Sequence, residues 1–146
     1  MKYPLDDMRK VRALRKDGAM SRVIKKKQVV EQARQEVIEK KGELNNYKET
    51  CRKEEEQLLV GLAGGEVDGN AYHYFIEKSQ WMRTGENRYV QRVMDAEKKK
   101  DEAIEKEHQA TAHYQQMVKN EIKLDEHFKI WNEENKQQDP DGDDND

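Results

Sequence analysis

The stretch FIEKSQWMRTGENRYVQRVMDAEKKKDEAIEKEHQATAHYQQMVKNEIKLDEHFKIW, residues 75–131, decides the fold. Lys, Glu, Asp and Gln dominate this stretch, yet every seventh residue in it is apolar or aromatic. These positions hold Phe75, Met82, Tyr89, Ala96, Ala103, Ala110, Met117, Leu124 and Trp131. A seven-residue repeat sustained over this length is typical of a left-handed coiled coil, because it keeps one seam of the helix facing its partner.

An earlier stretch carries the same repeat, at Val23, Val30, Val37, Leu44, Cys51 and Leu58. Between the two stretches lies GLAGGEVDGN, residues 61–70, whose glycines mark a turn. The sequence therefore predicts an all-α fold, a long two-helix antiparallel coiled-coil hairpin. We expect one domain over 1–136, with a helix at 5–62, a turn at 63–70 and a helix at 71–136. The Asp-rich residues 137–146 are predicted to form a disordered acidic tail.

The two seven-step columns also predict a register. Aligned about the glycine turn, they place Val37 opposite Ala96, and the same alignment sets Arg12 opposite Glu121. Before Val23 the seven-step positions become charged, at Lys16 and Arg9, while nearby apolar residues follow a shifted phase. These apolar residues are Leu5, Met8, Val11, Leu14 and Met20. We therefore expect the supercoil to change there, with a kink or a short break at Asp17–Gly18.

The composition excludes several classes of protein. Of the 146 residues, 40% are charged and 34% are hydrophobic, which leaves too little apolar material for an enzyme-like globule. The net charge is only −3, because a basic segment, 1–27, offsets an acidic one, 125–146. One cysteine, Cys51, allows no internal disulfide, and no apolar run could span a membrane or serve as a signal peptide. We expect a cytosolic protein.

No catalytic, metal or cofactor site is predicted. The histidines lack the three- or four-residue spacing that puts two ligands on one helix face; they are His73, His108, His113 and His127. The glycine turn lacks the lysine of a phosphate-binding loop. We therefore expect no enzyme, no cofactor and no metal ion. The tail at Asp139–Asp144 lacks the closing glutamate of a calcium loop.

Three surface features could bind a partner. The first is the basic N-terminal helix, which could contact nucleic acid, although the sequence favours a solvated face balanced by the acidic C-terminal segment. The second is Tyr74 with Trp81, seven residues apart beside the seam, which suit either local packing or a protein interface. The third is Arg52, which has the helical spacing to pair with Glu56.

Two segments resemble a known family. They are YKETCRKEEEQLL, residues 47–59, just before the glycine turn, and WMRTGE, residues 81–86, just after it. In this order, behind a basic N-terminal helix, they resemble the YscO family of type III secretion proteins, relatives of FliJ. The family pattern matches Tyr47, Arg52, Glu55 and Glu56, whereas Cys51 stands where the family usually has Trp. The resemblance spans roughly residues 5–130.

The resemblance implies a two-helix stalk in the bacterial cytoplasm, at the inner-membrane base of a secretion apparatus. Such a stalk links the hexameric secretion ATPase to the cytoplasmic domain of the export gate, modulates ATPase activity, and in some members engages secretion chaperones. We expect a monomer with no nucleic-acid partner and no membrane insertion. The residues predicted to bind the ATPase ring are Arg9, Arg12, Arg15, Lys16, Phe128 and Trp131. Those predicted to bind the export gate are Arg52, Glu55, Tyr72, Tyr74, Trp81 and Arg83.

Two rival hypotheses remain open. A nucleic-acid-binding hairpin arm predicts RNA binding through residues 9–27 that falls steeply with salt. A generic coiled-coil chaperone or scaffold predicts no ring-shaped partner, and sedimentation separates a monomeric hairpin from a dimer of parallel helices.

Overall fold

The computed structural model of the chain describes residues 2–64 and 69–138, and these form two α-helices. Helix α1 runs from Asp6 to Ala63 and helix α2 from Gly69 to Gln138. The two long helices pack against each other, so the predicted all-α hairpin class is confirmed. Half of the predicted turn, residues 65–68, and most of the predicted tail, residues 139–146, lie outside the described residues. No helix in the described ranges is both long enough and apolar enough to cross a membrane.

The start of α1 is favoured by local chemistry. Asp6 and Asp7 place carboxylates in the first turn, where the positive end of the helix dipole favours them. The backbone N–H of Asp6 donates to the Tyr3 carbonyl at 3.1 Å, which closes a turn just before the helix. This turn directs the chain back so that Tyr3 packs against the C-terminal part of α2.

The chain divides into two compact units, which are described separately. The terminal unit comprises Met1–Gln28 and Ile104–Asp146, and the turn unit comprises Val29–Ala103. In both units the two helical segments run antiparallel, because a residue further along α1 faces a residue earlier along α2. Lys48 lies 3.8 Å from Glu86 in the turn unit, and Arg9 lies 3.5 Å from Asp125 in the terminal unit. Each of these pairs is within one position of the predicted register.

Both seven-step columns form the seam, as predicted. Their buried members in the terminal unit are Val23, Ala110 and Leu124. Their buried members in the turn unit are Val30, Val37, Met82, Ala96 and Ala103. The remaining members are half-buried, and no polar or charged residue is buried in the described part of the chain. A narrow seam of this kind leaves the charged residues on the surface, together with many large apolar side chains that lie outside the two columns.

The predicted change of phase before Val23 is wrong. Ala19, at a companion seam position, is buried, and the seven-step positions Lys16 and Arg9 are half-buried. Instead, Leu14 is 72% exposed, and Met8, Val11 and Met20 are also exposed. The original phase continues because long basic side chains can cover a seam with their methylene stems while their charged ends reach acceptors on α2. Helix α1 also continues without a break through Asp17–Gly18.

Candidate protein-binding surfaces

In the terminal unit, an aromatic cluster packs around Tyr3. This side chain is only 5% exposed, although it precedes the helix. Its ring lies 4.9 Å from that of Phe128, edge-on, and 5.2 Å from that of Trp131. Its hydroxyl donates to Nδ1 of His127 at 2.6 Å when that nitrogen is unprotonated. The cluster therefore ties the N-terminal segment to the last turns of α2 through both packing and a hydrogen bond.

The basic residues predicted to bind an ATPase ring mostly contact α2 instead. The guanidinium of Arg9 lies 4.2 Å from the ring centroid of Phe128 and 3.5 Å from Asp125. Arg12 donates to the carbonyl oxygen of Asn120 at 3.1 Å. The predicted pairing of Arg12 with Glu121 is therefore replaced, because Glu121 pairs with a lysine one turn further along α1.

That lysine is Lys16, whose Nζ lies 2.9 Å from Oε2 of Glu121. The hydrogen bond to Glu121 raises the pKa of Lys16, and burial opposes this rise only in part. The ion pair is partly exposed along the seam, so the charge of Lys16 is paired with Glu121 and is not free on an open surface.

Of the residues assigned to the ATPase ring, Arg15 is the one whose charge faces solvent. It is exposed and makes no ion pair with any described residue. Arg22 and Lys25, seven and ten positions further along α1, share this exposure and have no described ion-pair partner. Together Arg15, Arg22 and Lys25 form the basic strip of the terminal unit, on the same helical face at three- and seven-residue spacing.

In the turn unit, a tyrosine layer closes the seam. The Tyr47 hydroxyl donates to the Met82 carbonyl oxygen at 3.0 Å, and its ring stacks on Tyr89 at a centroid distance of 4.6 Å. This arrangement requires Gly85, because a Cβ there would overlap the Tyr47 hydroxyl. Gly85 therefore allows close approach of the two helices at this layer.

Burial, followed by the neighbouring Cys51 thiol, raises the pKa of Tyr47 to about 12. An ordinary tyrosine has a pKa near 10, so the folded unit favours the neutral phenol. The neutral form is the one that can donate to the Met82 carbonyl. The tyrosine that matched the family pattern in the sequence therefore has a structural role at the seam.

The aromatic residues predicted to bind an export gate are exposed. Trp81 is 69% exposed, and Tyr72 and Tyr74 are also largely exposed. The ammonium group of Lys78 lies 5.1 Å from the centroid of the Trp81 ring, within the range of a cation–π contact. Large aromatic side chains in water, beside a cation, are typical of interface anchors.

The remaining predicted gate residues lie on another side of the turn unit. Arg52 is held by Glu49 and Glu56, each at 2.6 Å, so its charge is satisfied within α1. Glu55 and Arg83 occupy the same repeat positions as Lys41 and Glu97, which pair at 3.3 Å across one flank of the seam. Trp81 lies beside the opposite flank. Its neighbour Lys78 has the same heptad position as Lys99, and Lys99 pairs with Glu36 on that flank. The predicted gate residues therefore divide between two flanks.

Two residues that position these surfaces were not predicted. Tyr3 is outside the seven-step columns, although the predicted register leaves Phe128 and Trp131 opposite residues 2–5, where an apolar partner is needed. Gly85 is part of the matched WMRTGE segment, but its contact with Tyr47 depends on the distance between two helices. The role of Tyr3 could have been predicted from the register, whereas the role of Gly85 depends on how closely the two helices pack.

Comparison with known proteins identifies one family. The family model described as "Type III secretion protein YscO" matches residues 5–144. No curated protein and no solved structure matches the chain significantly. The family match covers both helices and agrees with the resemblance in residues 47–59 and 81–86.

Proposed function

The chain belongs to the YscO family of type III secretion proteins, and we propose that it acts as the central stalk of a secretion apparatus. In this proposal it links the hexameric secretion ATPase to the export gate and modulates ATPase activity, without a catalytic site of its own. It works as a monomer in the bacterial cytoplasm, at the inner-membrane base of the apparatus, and also engages secretion chaperones. The observation that carries the proposal is the family match over both helices of the hairpin.

The terminal unit supports a role at the ATPase. Its helix ends are tied together by the Tyr3 cluster, so the unit presents a defined surface rather than two fraying ends. On that surface the basic strip of Arg15, Arg22 and Lys25 has no described ion-pair partner. Unpaired basic residues favour docking to an acidic protein surface, mainly by steering the encounter.

The turn unit supports a role at the export gate. Tyr74 and Trp81 are spaced by seven residues on one exposed flank, and Lys78 lies between them in sequence. Two aromatic anchors beside a cation form the kind of small hot spot that dominates protein–protein binding energy. In this proposal the flank with Trp81 meets the gate, and Arg52, Glu55 and Arg83 on the other flank play a smaller part.

The ATPase assignment is tested by reversing charge on the basic strip. The triple variant Arg15→Glu, Arg22→Glu, Lys25→Glu should bind the secretion ATPase several-fold more weakly and stimulate its hydrolysis less, because exposed charges steer association. Its circular dichroism should match that of the wild type, since none of the three side chains makes a described cross-helix contact. A matched control, Lys53→Glu, reverses an exposed charge in the turn unit. Unchanged stimulation by the triple variant would disprove this assignment.

The gate assignment is tested by removing the aromatic anchors. The double variant Tyr74→Ala, Trp81→Ala should lose most of its binding to the purified gate cytoplasmic domain, because truncating such anchors typically costs about 2 kcal/mol or more. Ile38→Ala and Met94→Ala, which remove exposed apolar side chains elsewhere in the turn unit, serve as the control pair. If both pairs bind the gate equally well, these two residues do not form the gate surface.

A further inference from the structure

The flank of the turn unit that carries Trp81 continues along α2 as a row of cations. Its members recur every three or four residues, a spacing that keeps them on one side of a helix. Lys78, Arg88 and Arg92 supply three positive charges, and none of the three makes an ion pair with a described residue. Tyr74 and Trp81 supply two exposed aromatic side chains. This Trp81 row consists of Tyr74, Lys78, Trp81, Gly85, Arg88 and Arg92, and it includes no carboxylate.

At the Arg92 end of the row, a groove of about 460 Å³ lies between α1 and α2. The Arg92 guanidinium lies 4.9 Å from the ring centroid of Tyr89, within the range of a cation–π contact, so Tyr89 supports it at the groove wall. Asn46 and Thr50 line the same groove from α1, and their side chains form no hydrogen bond with a described residue. The groove therefore offers a guanidinium, an amide and a hydroxyl to a ligand. Its lining consists of Glu43, Asn46, Tyr47, Thr50, Tyr89 and Arg92.

Glu43, the carboxylate among these lining residues, already has a cation beside it. Its Oε2 lies 3.5 Å from Nζ of Lys40, the residue three positions earlier in α1. Arg92 makes no ion pair with Glu43 or with any other described residue. The positive charge of Arg92 is therefore available to an anion, and its planar guanidinium can bind a carboxylate through two parallel hydrogen bonds.

The borders of the row favour separate carboxylates over a continuous polyanion. Asp95, at the next position of the same spacing after Arg92, accepts a hydrogen bond from Gln91 at 2.9 Å. Glu77, outside the row near its other end, is exposed and makes no ion pair with a described residue. These two negative charges repel a chain of phosphates that runs along the whole flank. A protein segment avoids this repulsion when its carboxylates are confined to the positions that face Arg88 and Arg92.

We propose that the Trp81 row binds a segment of the export gate in which an apolar side chain packs on Trp81 and carboxylates pair with Arg88 and Arg92. This inference rests on the proposed gate assignment of Trp81 and adds the chemistry of the segment that the gate supplies. Asn46 and Thr50 donate hydrogen bonds to the carboxylate oxygens that the guanidinium leaves open. Along α2, Trp81 lies about 10 Å from Arg88 and about 16 Å from Arg92, which equals about three to five residues of an extended segment.

Charge reversal on the row tests this pairing with the purified gate cytoplasmic domain. The full-length variant Arg88→Glu, Arg92→Glu should bind the gate domain about tenfold more weakly, and its affinity should change less with salt, because two charge pairs are lost. The control pair Arg34→Glu, Lys98→Glu reverses two exposed cations of the turn unit outside the row, and it should bind like the wild type. Equal binding by the two double variants would overturn the inference.

The outcomes separate this inference from the gate assignment itself. If Tyr74→Ala, Trp81→Ala loses gate binding while Arg88→Glu, Arg92→Glu retains it, the gate assignment stands and the acidic segment is wrong. If the wild-type chain does not bind the gate domain, the gate assignment fails, and a titration with peptides still decides which charge the row selects.

That titration uses the fluorescence of Trp81. The chain has two tryptophans, so a Trp131→Phe background leaves Trp81 as the reporter. Two peptides of about ten residues carry the same central leucine, flanked by Glu in one peptide and by Lys in the other. The Glu peptide should change the fluorescence at about tenfold lower concentration, and Arg88→Glu, Arg92→Glu should reverse this preference. Equal responses, or no response to either peptide, would overturn the inference.

Two further measurements detect other occupants of the row. If an oligouridine of about ten nucleotides binds more tightly than the Glu peptide, the ligand is a phosphate chain that stacks on the aromatic side chains. If sedimentation shows a dimer that Arg88→Glu, Arg92→Glu dissociates, a second copy of the chain covers the row. Either result would replace the acidic gate segment as the occupant.

Discussion

The terminal unit and the turn unit follow the same seven-residue repeat but close their seams with different chemistry. In the terminal unit, Arg9 and Lys16 occupy seam positions and pair with acidic residues of α2. Tyr3 packs against Trp131 near the end of α2. In the turn unit, Tyr47 stacks on Tyr89 over a glycine. The repeat therefore determines which residues face the partner helix, and the side chains at those positions determine how closely the helices pack and what the flanks can bind.

The flanks differ in the same way. In the turn unit, Lys41 pairs with Glu97 and Lys48 with Glu86, so charged residues close the flank beside the seam. In the terminal unit, corresponding repeat positions hold the apolar residues Ala13, Met20, Ile104 and Val118, whereas Asp125 at another of these positions pairs with Arg9 of the seam.

The largest expected effect is at the tyrosine layer of the turn unit. Gly85→Ala should lower the free energy of unfolding by about 2–3 kcal/mol, because the added methyl overlaps the Tyr47 hydroxyl and disrupts the layer. Gly42→Ala, in the same unit, has open space around its Cβ and should instead raise stability by up to about 1 kcal/mol through helix propensity. Urea denaturation followed by circular dichroism measures both variants.

The Tyr47→Leu background tests whether overlap with the Tyr47 hydroxyl is what destabilises Gly85→Ala. With Tyr47→Leu in place, Gly85→Ala should no longer destabilise the protein, because the hydroxyl that it overlaps is gone. If Gly85→Ala costs the same free energy in both backgrounds, the close approach of Tyr47 is not its cause.

The next effect is at the Tyr3 cluster of the terminal unit. Tyr3→Ala should cost about 2 kcal/mol of local stability, because it removes a buried ring and a hydrogen bond to His127. Hydrogen exchange should therefore speed up in the amides near residues 124–131 and remain unchanged in the turn unit. Tyr72→Ala, which truncates an exposed tyrosine, is the control. Uniformly faster exchange in both units would contradict a local role.

A smaller effect is expected at the ion pair on the seam of the terminal unit. Lys16→Glu should lower the urea midpoint by placing two carboxylates together, and adding Glu121→Lys should restore it. The same reversal at Arg52 with Glu56, an exposed pair within α1, should change the midpoint less. A double variant that remains as unstable as Lys16→Glu would show that the pairing itself is not stabilising.

The smallest effect is a titration. Because the folded-state pKa of Tyr47 is raised, its contribution to stability is fully present below the unfolded value near 10 and is lost as pH rises through about 12. Near-ultraviolet absorbance of tyrosinate should therefore show one tyrosine titrating later than the others. Tyr47→Phe should remove this late step, and Tyr72→Phe should leave it. A late step that persists in Tyr47→Phe would belong to another residue.

Much of the fold could be predicted because a coiled-coil seam is encoded locally. Val23, Val37, Ala96 and Leu124 are apolar at a fixed spacing, and the structure buries all of them. The prediction was wrong where the spacing and the residue type disagreed, before Val23. Because Leu14 is apolar, we expected it to face the seam, whereas the seven-residue repeat places Lys16 there. The structure follows the repeat, because the methylene stem of Lys16 can cover the seam while its ammonium group reaches Glu121.

The candidate surfaces could be predicted less completely. The sequence identified Trp81 and Tyr74 as surface aromatics, and both are exposed. It also grouped Arg83 with them, although repeat position puts Arg83 beside the other flank. Proximity in sequence could not distinguish the flanks, because residues two apart on a helix point about 200° apart around its axis.

The sequence by itself determined the two helices, the seam and the family, because each depends on spacing along one chain or on short matching segments. Tertiary structure decided which charged side chains are paired across the seam and which remain exposed. Glu121 could reach either Arg12 or Lys16, and only packing selects the lysine. Tyr3 and Gly85 likewise acquire their roles from side chains far away in sequence, at His127 and Tyr47. These contacts depend on the distance between two helices, which no local pattern specifies.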